Sequence, residues 1–313
     1  MKLPSQWLVE RLLRGRDLGS PGQRENCGQL SGAVGIGANL LLAAGKFLAG
    51  WLSASLAMTA DAFNNLTDAC SSVVTLIGFR MAGHKADKEH PFGHGRAEYI
   101  AGLIVSLLIL LVGLELGRTS VEKILHPSGV VLSAVAIGVL TASIAVKLCM
   151  WRFNAALGRA LQSQALAATA LDALADSVAT SAVLLGTVLG HLTHLHLDGW
   201  LGLAVAVFIL YSGFRAVRDT LDPLLGRPAA PELVEEITRL VLEQEEVTGI
   251  HELVVHEYGP GHLFATIHAE VPQDMTLLAA HAAADRAEHV LRERLGLEAV
   301  IHIDPQGGDC PDR

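Results

Sequence analysis

Two pairs of oxygen-bearing side chains lie within long apolar stretches of this 313-residue chain. The first pair is Asn64 and Asp68, and the second is Asp172 and Asp176. Residues four apart lie one above the other on one face of a helix, so each pair offers two donors to one point. Ionisable groups at bilayer depth are costly and usually mark the path of an ion or a proton. The spacing therefore predicts that two membrane helices close four oxygen ligands around one cation.

Six apolar runs could hold these pairs inside a bilayer. About 20 residues in a helix cross a hydrocarbon core of about 30 Å. The second run contains Asn64 and Asp68, and the fifth contains Asp172 and Asp176. Near the end of the first run, Lys46 is expected to extend its ammonium group to the membrane surface. The runs cover approximately residues 31–52, 56–81, 97–120, 130–150, 165–190 and 200–217.

Charge is distributed unevenly along the chain. Residues 1–225 contain 17 Lys and Arg against 15 Asp and Glu, whereas residues 226–313 contain 6 against 17. This difference predicts a membrane domain followed by an acidic soluble domain, and it argues against a nucleic-acid partner. Basic residues collect in alternate connections, which predicts that both termini and the loop at 81–96 face the cytosol. The predicted domains are a cytosolic arm at 1–28, a six-helix transmembrane domain at 29–219 and a cytosolic domain at 220–313.

The C-terminal domain shows alternating helix and strand patterns. Apolar residues of 231–244 form one helical stripe, whereas 247–258 and 263–271 alternate like strands around a Gly-Pro-Gly turn. A second helix is predicted over 277–295 and a last strand over 299–303. The order α-β-β-α-β predicts a compact ferredoxin-like α+β fold with the helices on one side of the sheet.

A polar loop between the second and third runs offers another set of donors. Asp87, His90 and His94 lie within eight residues, and their mixture of carboxylate and imidazole is what a zinc-like ion accepts. Nearby Pro91, Gly93 and Gly95 would let the backbone bend so that these side chains converge. A solvated loop with incidental histidines is the alternative interpretation.

The remaining motifs argue against an enzyme. His251 and His256 nearly match the HExxH motif of zinc proteases, but they are five residues apart and lie in a predicted strand. The sequence has neither a Walker lysine loop nor a GxSxG motif. Its four cysteines are far apart, which predicts neither a disulfide framework nor a thiolate zinc site. No cleavable signal peptide is visible, which favours a bacterial inner membrane.

Taken together, these motifs resemble the cation diffusion facilitator family of metal/proton antiporters, from about residue 30 to residue 305. The resemblance rests on the stretch 59–68, on the loop 90–98, on the pair Asp172 and Asp176, and on Thr220-Leu-Asp222-Pro. It implies that Asn64, Asp68, Asp172 and Asp176 form the transport site and that Asp87, His90 and His94 form a loop site. It also implies a homodimer with a binuclear regulatory site in the cytosolic domain, at His251, His268, His281, His302 and Asp304.

The same resemblance implies a charge pair between Arg96 and Asp222 that links the membrane and cytosolic halves at the dimer interface. Zinc-transporting members usually have a His in the transport quartet, whereas the quartet here offers only oxygen donors. The resemblance is therefore closest to the manganese-exporting branch, with Zn²⁺, Fe²⁺ or Cd²⁺ as alternative substrates. Without a His, the carboxylates must carry the exchanged protons. A membrane-anchored metal sensor is the competing hypothesis.

Overall fold

The computed structural model describes residues 21–52, 56–126, 134–193 and 198–307. Six long helices come first in these ranges, followed by a smaller set of two helices and three strands. The long helices are α1 (Pro21–Leu52), α2 (Leu56–Ala82), α3 (Ala97–Leu125), α4 (Ala134–Leu161), α5 (Gln164–Thr193) and α6 (Asp198–Leu225). The smaller set is α7 (Pro231–Leu242), β1 (Gly249–Glu257), β2 (Leu263–Val271), α8 (Leu277–Leu295) and β3 (Glu298–Pro305).

The chain divides into two compact units. One contains the described residues up to 85 together with 96–221, and the other contains 86–95 together with the described residues from 222 onward. The polar loop at 86–95 therefore belongs with the C-terminal domain. The first helix begins at Pro21, ahead of the apolar run predicted from residue 31, and residues 1–20 of the predicted arm lie outside the described residues.

Among the described residues, four helices are long and apolar enough to cross a membrane. The candidate spans are Arg24–Ala49, Ala97–Leu125, Gln164–Gly186 and Gly199–Leu225. Helices α2 and α4 have similar lengths and are not among the candidate spans found in the described residues, so the six-span arrangement remains a prediction. These two helices contain polar residues of the candidate transport site: Asn64 and Asp68 lie in α2, and Lys147 lies in α4.

Glycines let α1 and α2 approach each other closely. A Cβ added at Gly28 would lie 2.0 Å from the ring of Phe79, and one added at Gly32 would lie 2.6 Å from Cβ of Leu76. Close approach of small residues is the usual way in which membrane helices pack, because lipid provides little hydrophobic driving force between them. This packing holds α2, the helix that contains Asp68, against α1.

Helices α4 and α5 form a hairpin with a two-residue connection. Gln162 takes a positive φ of 51°, and the hydroxyl of Ser163 accepts a hydrogen bond from the backbone N–H of Leu166 at 3.2 Å. The hydroxyl thereby caps the first turn of α5. Lys147 and Asp176 lie at similar distances along the chain from this turn, so the antiparallel hairpin brings them side by side.

The C-terminal domain has the predicted order α-β-β-α-β. Its sheet runs β1-β2-β3, with β1 antiparallel and β3 parallel to β2. Alternate residues of β2, namely Ala265, Ile267 and Ala269, are buried in a core that also takes in residues of α7 and α8. The intervening residues of β2 therefore lie on the other face of the sheet.

Candidate metal sites

Three carboxylates from two helices meet inside the helical unit. One oxygen from each of Asp68, Asp172 and Asp176 lies within 4.8 Å of the others. Asp68 is 4 % exposed and Asp176 is 9 % exposed, and Asp172 is half-buried. The predicted convergence of α2 and α5 on one point is therefore present for these three members.

Asn64 lies one helical turn before Asp68 on α2. Its side chain is exposed in this single chain, whereas that of the adjacent Asn65 is buried. The contribution of Asn64 to a shared cation remains a prediction.

A buried lysine that sequence reasoning missed lies between the carboxylates. The ammonium nitrogen Nζ of Lys147 donates to Oδ2 of Asp68 at 2.7 Å and to Oδ2 of Asp176 at 2.5 Å. The Lys147 side chain is 3 % exposed. Its position within the fourth apolar run was a usable signal, because an ionisable residue inside a membrane segment is a functional candidate by default.

The expectation for Lys46 was wrong. Instead of extending to the membrane surface, this side chain is 2 % exposed, and its Nζ lies 3.2 Å from Oδ1 of Asn65, to which it donates a hydrogen bond. Burial next to an amide oxygen satisfies the ammonium group inside the bundle, which a snorkelling side chain would satisfy with water.

The loop residues Asp87, His90 and His94 lie close together. Oδ1 of Asp87 accepts hydrogen bonds from the backbone N–H groups of His90 at 2.7 Å and Glu89 at 2.9 Å. Nε2 of His94 lies 3.7 Å from Oδ2 of Asp87, and the two imidazole rings are 4.4 Å apart. These three side chains could share one ion.

The local backbone keeps this carboxylate ionised. The hydrogen bond from the His90 backbone, followed by that from Glu89 and the charges of the two histidines, holds the pKa of Asp87 below its usual range despite the opposing effect of desolvation. A carboxylate that stays charged needs no deprotonation before it binds a metal.

An aromatic contact attaches this loop to the C-terminal domain. The ring of Phe92 stacks on Tyr258 with centroids 4.1 Å apart and contacts the edge of Phe264 at 6.0 Å. A Cβ added at the nearby Gly95 would lie 2.9 Å from the carbonyl oxygen of Tyr258, so the backbone is close as well. The loop site is thereby fixed to one end of the sheet.

Replacing Phe92 with Ala should loosen the loop, because an aromatic pair contributes about 0.5–1.5 kcal/mol beyond its area burial. We expect faster amide hydrogen exchange at Gly93, whose N–H donates to the carbonyl of His90 at 2.9 Å. Val300→Ala, at an exposed apolar position on β3, is the matched control. Unchanged exchange at Gly93 would show that the stacking does not hold the loop.

Histidines from three strands lie side by side on the sheet of the C-terminal domain. His251 pairs with His268 across β1 and β2, and His268 pairs with His302 across β2 and β3. Nδ1 of His268 donates to Oδ2 of Asp304 at 2.8 Å, and Nε2 of His251 lies 3.2 Å from the same oxygen. Among the described residues, His251, His268 and Asp304 form a group that could hold an ion.

Two glutamates that were not predicted from the sequence lie at the edge of this cluster. Glu252, at a positive φ of 49° beside an irregularity in the β1–β2 pairing, lies 3.6 Å from Nε2 of His268. Glu270 lies 3.5 Å from Nδ1 of His251. The two remaining predicted members both lie outside the group that could share an ion: Nε2 of His302 is 3.4 Å from Oδ1 of Asp304, and His281 is exposed on α8.

The donor set of the cluster fits a metal ion. Both ring nitrogens of His251 are buried and lie near the carboxylates of Asp304 and Glu270, but neither makes a hydrogen bond within the described residues. Desolvation opposes ionisation of Asp304, but the hydrogen bond from His268 and the charges of all three histidines outweigh it and hold its pKa below the usual range. An ionised carboxylate beside imidazoles is a combination that Zn²⁺ accepts.

The predicted charge pair involves residues of the two separate units. Arg96 directly precedes α3, and Asp222 lies in the last turn of α6. The link between them that the resemblance implies remains a prediction.

Two sequence families account for nearly the whole described chain. The cation efflux transmembrane domain matches residues 33–225, and the cation efflux protein cytoplasmic domain matches residues 229–306. The chain belongs to the cation efflux family, also called the cation diffusion facilitators. Members of this family are membrane transporters of divalent metals rather than enzymes, and the match to its cytoplasmic dimerisation domain indicates a homodimer.

Curated relatives extend over similar lengths. An uncharacterized transporter of Methanocaldococcus jannaschii is 28 % identical over 87 % of this chain and 96 % of its own length. The cation-efflux pump FieF of Salmonella paratyphi A is 31 % identical over 83 % of this chain and 87 % of its own. A solved structure of CzrB, a candidate zinc transporter, in its zinc form is 30 % identical, with a TM-score of 0.24, and covers 26 % of this chain and 93 % of its own.

Proposed function

We propose that this cation efflux protein exports Mn²⁺ from the cytoplasm in exchange for protons. One observation carries the proposal: carboxylate oxygens of Asp68, Asp172 and Asp176, contributed by α2 and α5, lie within 4.8 Å of one another. With the amide oxygen of Asn64 they would form an all-oxygen donor set. Oxygen ligands suit a harder ion such as Mn²⁺ better than Zn²⁺, which favours imidazole or thiolate.

Zinc efflux through the same quartet is the second candidate, with Fe²⁺ and Cd²⁺ as further substrates. The imidazole-rich cluster of the C-terminal domain favours it, because this domain would then bind the transported ion as well. Under either assignment, that cluster and the loop residues Asp87, His90 and His94 bind metal without transporting it.

Proton exchange follows from the charge of the transport site. Three ionised carboxylates with one lysine ammonium would leave a net negative charge in a medium of low dielectric. When no metal is bound, a proton held on one carboxylate makes the site less negative. A divalent cation displaces that proton when it binds. Outward release of the metal then allows protons to return, and the inward proton gradient drives the cycle.

The proposed setting is a homodimer in the inner membrane. All six long helices would span the bilayer with both termini in the cytoplasm, as the distribution of basic residues favours. Metal at the C-terminal cluster would tighten the dimer and shift the transporter between its two access states, because it binds one state more strongly.

Transport in proteoliposomes tests the assignment by comparing Mn²⁺, Zn²⁺, Fe²⁺ and Cd²⁺. Replacing Asn64 with His should raise the rate for Zn²⁺ relative to Mn²⁺ on the order of tenfold, because it adds an imidazole ligand to the quartet. Leu66→His is the matched control, since Leu66 is an exposed residue of the same helix, two positions from both Asn64 and Asp68 and therefore on a different face.

Three outcomes of this assay would contradict parts of the proposal. Faster transport of Zn²⁺ than of Mn²⁺ by the unmodified protein would replace manganese with zinc. Metal flux that does not respond to an imposed pH gradient would remove proton exchange. Metal binding without any flux would favour a membrane-anchored sensor.

A further inference from the structure

We propose that Lys147 is a tethered cation that competes with the transported metal for Asp68 and Asp176 and thereby promotes its release. The inference rests on the proposed function, because it assumes that these two carboxylates bind the metal. It differs from that function in assigning a role to α4, which supplies none of the four predicted ligands.

The position of Lys147 requires this competition. Its Nζ lies 2.7 Å from Oδ2 of Asp68 and 2.5 Å from Oδ2 of Asp176. Small divalent metal ions such as Zn²⁺ coordinate carboxylate oxygens at about 2.0–2.2 Å. An ion shared by the same two oxygens would therefore occupy nearly the same place as the ammonium group. The two cations cannot both be held there.

The surroundings show that Lys147 is directed into the bundle by its helix. Ser143 and Met150 lie one turn before and one turn after it, and both are buried at 2 % and 6 % exposure. This buried stripe continues along α4 through Asn154, whose Oδ1 accepts a hydrogen bond from Ser31 at 2.7 Å. The ammonium group is therefore supplied to the carboxylates by a helix whose backbone is fixed by other contacts.

Lysine suits the role of a competitor that can leave. Its charge is a compact ammonium group on a flexible four-carbon stem, so the group can withdraw while the backbone of α4 stays in place. When the metal departs, the ammonium returns and neutralises part of the negative charge that remains. A transport site must bind its ion firmly enough to load it and weakly enough to release it. A built-in competitor lowers affinity without removing a ligand.

The test measures Mn²⁺ binding to the purified full-length protein by calorimetry. Every sample contains Asp87→Ala and His268→Ala, so that the loop and C-terminal sites contribute less to the signal. Lys147→Gln keeps a hydrogen-bond donor beside both carboxylates and removes the charge, and Lys147→Met keeps the length of the stem. We expect both variants to bind Mn²⁺ on the order of tenfold more tightly, because a positive charge close to the ion is lost. We also expect slower release of Mn²⁺ after addition of a chelator.

Lys147→Arg tests the competition in the opposite direction. A guanidinium group can hold both carboxylates through several N–H donors and withdraws less readily, so Mn²⁺ should bind more weakly. If Lys147→Gln, eluting as the unmodified dimer does, binds Mn²⁺ with unchanged or lower affinity, Lys147 supports the site instead of competing for it. The proposal is then overturned.

Asp172→Asn in the same background separates this inference from the function on which it rests. Loss of Mn²⁺ binding in Asp172→Asn, together with unchanged affinity in Lys147→Gln, would reject the lysine role alone. Unchanged binding in Asp172→Asn would reject the transport site itself.

Discussion

Replacing Asp172 with Asn is expected to abolish measurable Mn²⁺ transport. The substitution keeps the shape of the side chain and removes one of the three negative charges that meet within 4.8 Å. Removing one partner of a buried charge pair costs about 2–5 kcal/mol. Metal affinity should therefore fall between roughly thirtyfold and several thousandfold. Uptake of Mn²⁺ into proteoliposomes with an imposed pH gradient measures the effect.

Asp219→Asn is the matched control, because it makes the same chemical change at an exposed position on α6. It should transport Mn²⁺ at the unmodified rate. Transport by Asp172→Asn at that same rate would mean that Asp172 is not a ligand of the ion, and the proposed quartet would then be wrong. Asp68→Asn should repeat the loss, since Asp68 belongs to the same group of carboxylates.

The position of these carboxylates could be predicted because their spacing and their environment agree. A polar pair four residues apart in an apolar helix has one face on which to converge, and Asp68 and Asp176 are indeed buried. The pattern on α2 does not by itself decide which of two adjacent amides turns inward. In the single chain Asn65 is buried and Asn64 is exposed, a result that depends on how α1 packs and on the ammonium group of Lys46.

Lys147 escaped prediction because it has no carboxylate or amide partner on its own helix at the four-residue spacing that identified the carboxylates. Its partners come from α2 and α5, at separations of 79 and 29 residues along the chain. Only the packing of three helices reveals such a contact. A single lysine within an apolar run is also compatible with a snorkelling side chain, which was the wrong expectation for Lys46.

The histidine cluster of the C-terminal domain could likewise be predicted only in part from the sequence. Alternation of apolar residues predicts the strands and the buried face, because side chains on a strand repeat every two residues. Strand register is a property of pairing, and it places His251, His268 and His302 in one row across the sheet. The irregular pairing next to His251, with Glu252 at a positive φ, leaves no signature in the sequence that would foretell it.

Removing the guanidinium group of Arg24 should destabilise the helical unit strongly. Nε and Nη2 of Arg24 on α1 donate to the two carboxylate oxygens of Glu98, each at 2.8 Å. Nη1 donates to the carbonyl oxygen of Leu161, at the end of α4. Glu98 is 1 % exposed, so Arg24→Ala leaves a carboxylate buried without its partner. Such a loss costs about 3–5 kcal/mol. We expect a marked fall in the melting temperature of the detergent-solubilised protein.

A second substitution shows whether Arg24→Ala loses stability because a buried charge is left uncompensated or because packing contacts are lost. Arg24→Ala combined with Glu98→Gln removes both charges, so it should recover part of the stability, because a neutral amide is easier to bury than an isolated carboxylate. Arg80→Ala is the matched control, since Arg80 is an exposed residue near the end of α2. If the double variant melts at a lower temperature than Arg24→Ala alone, the buried charge is not the cause. The contribution of Arg24 would then come from its contact with Leu161 and from the packing of α1 against α4.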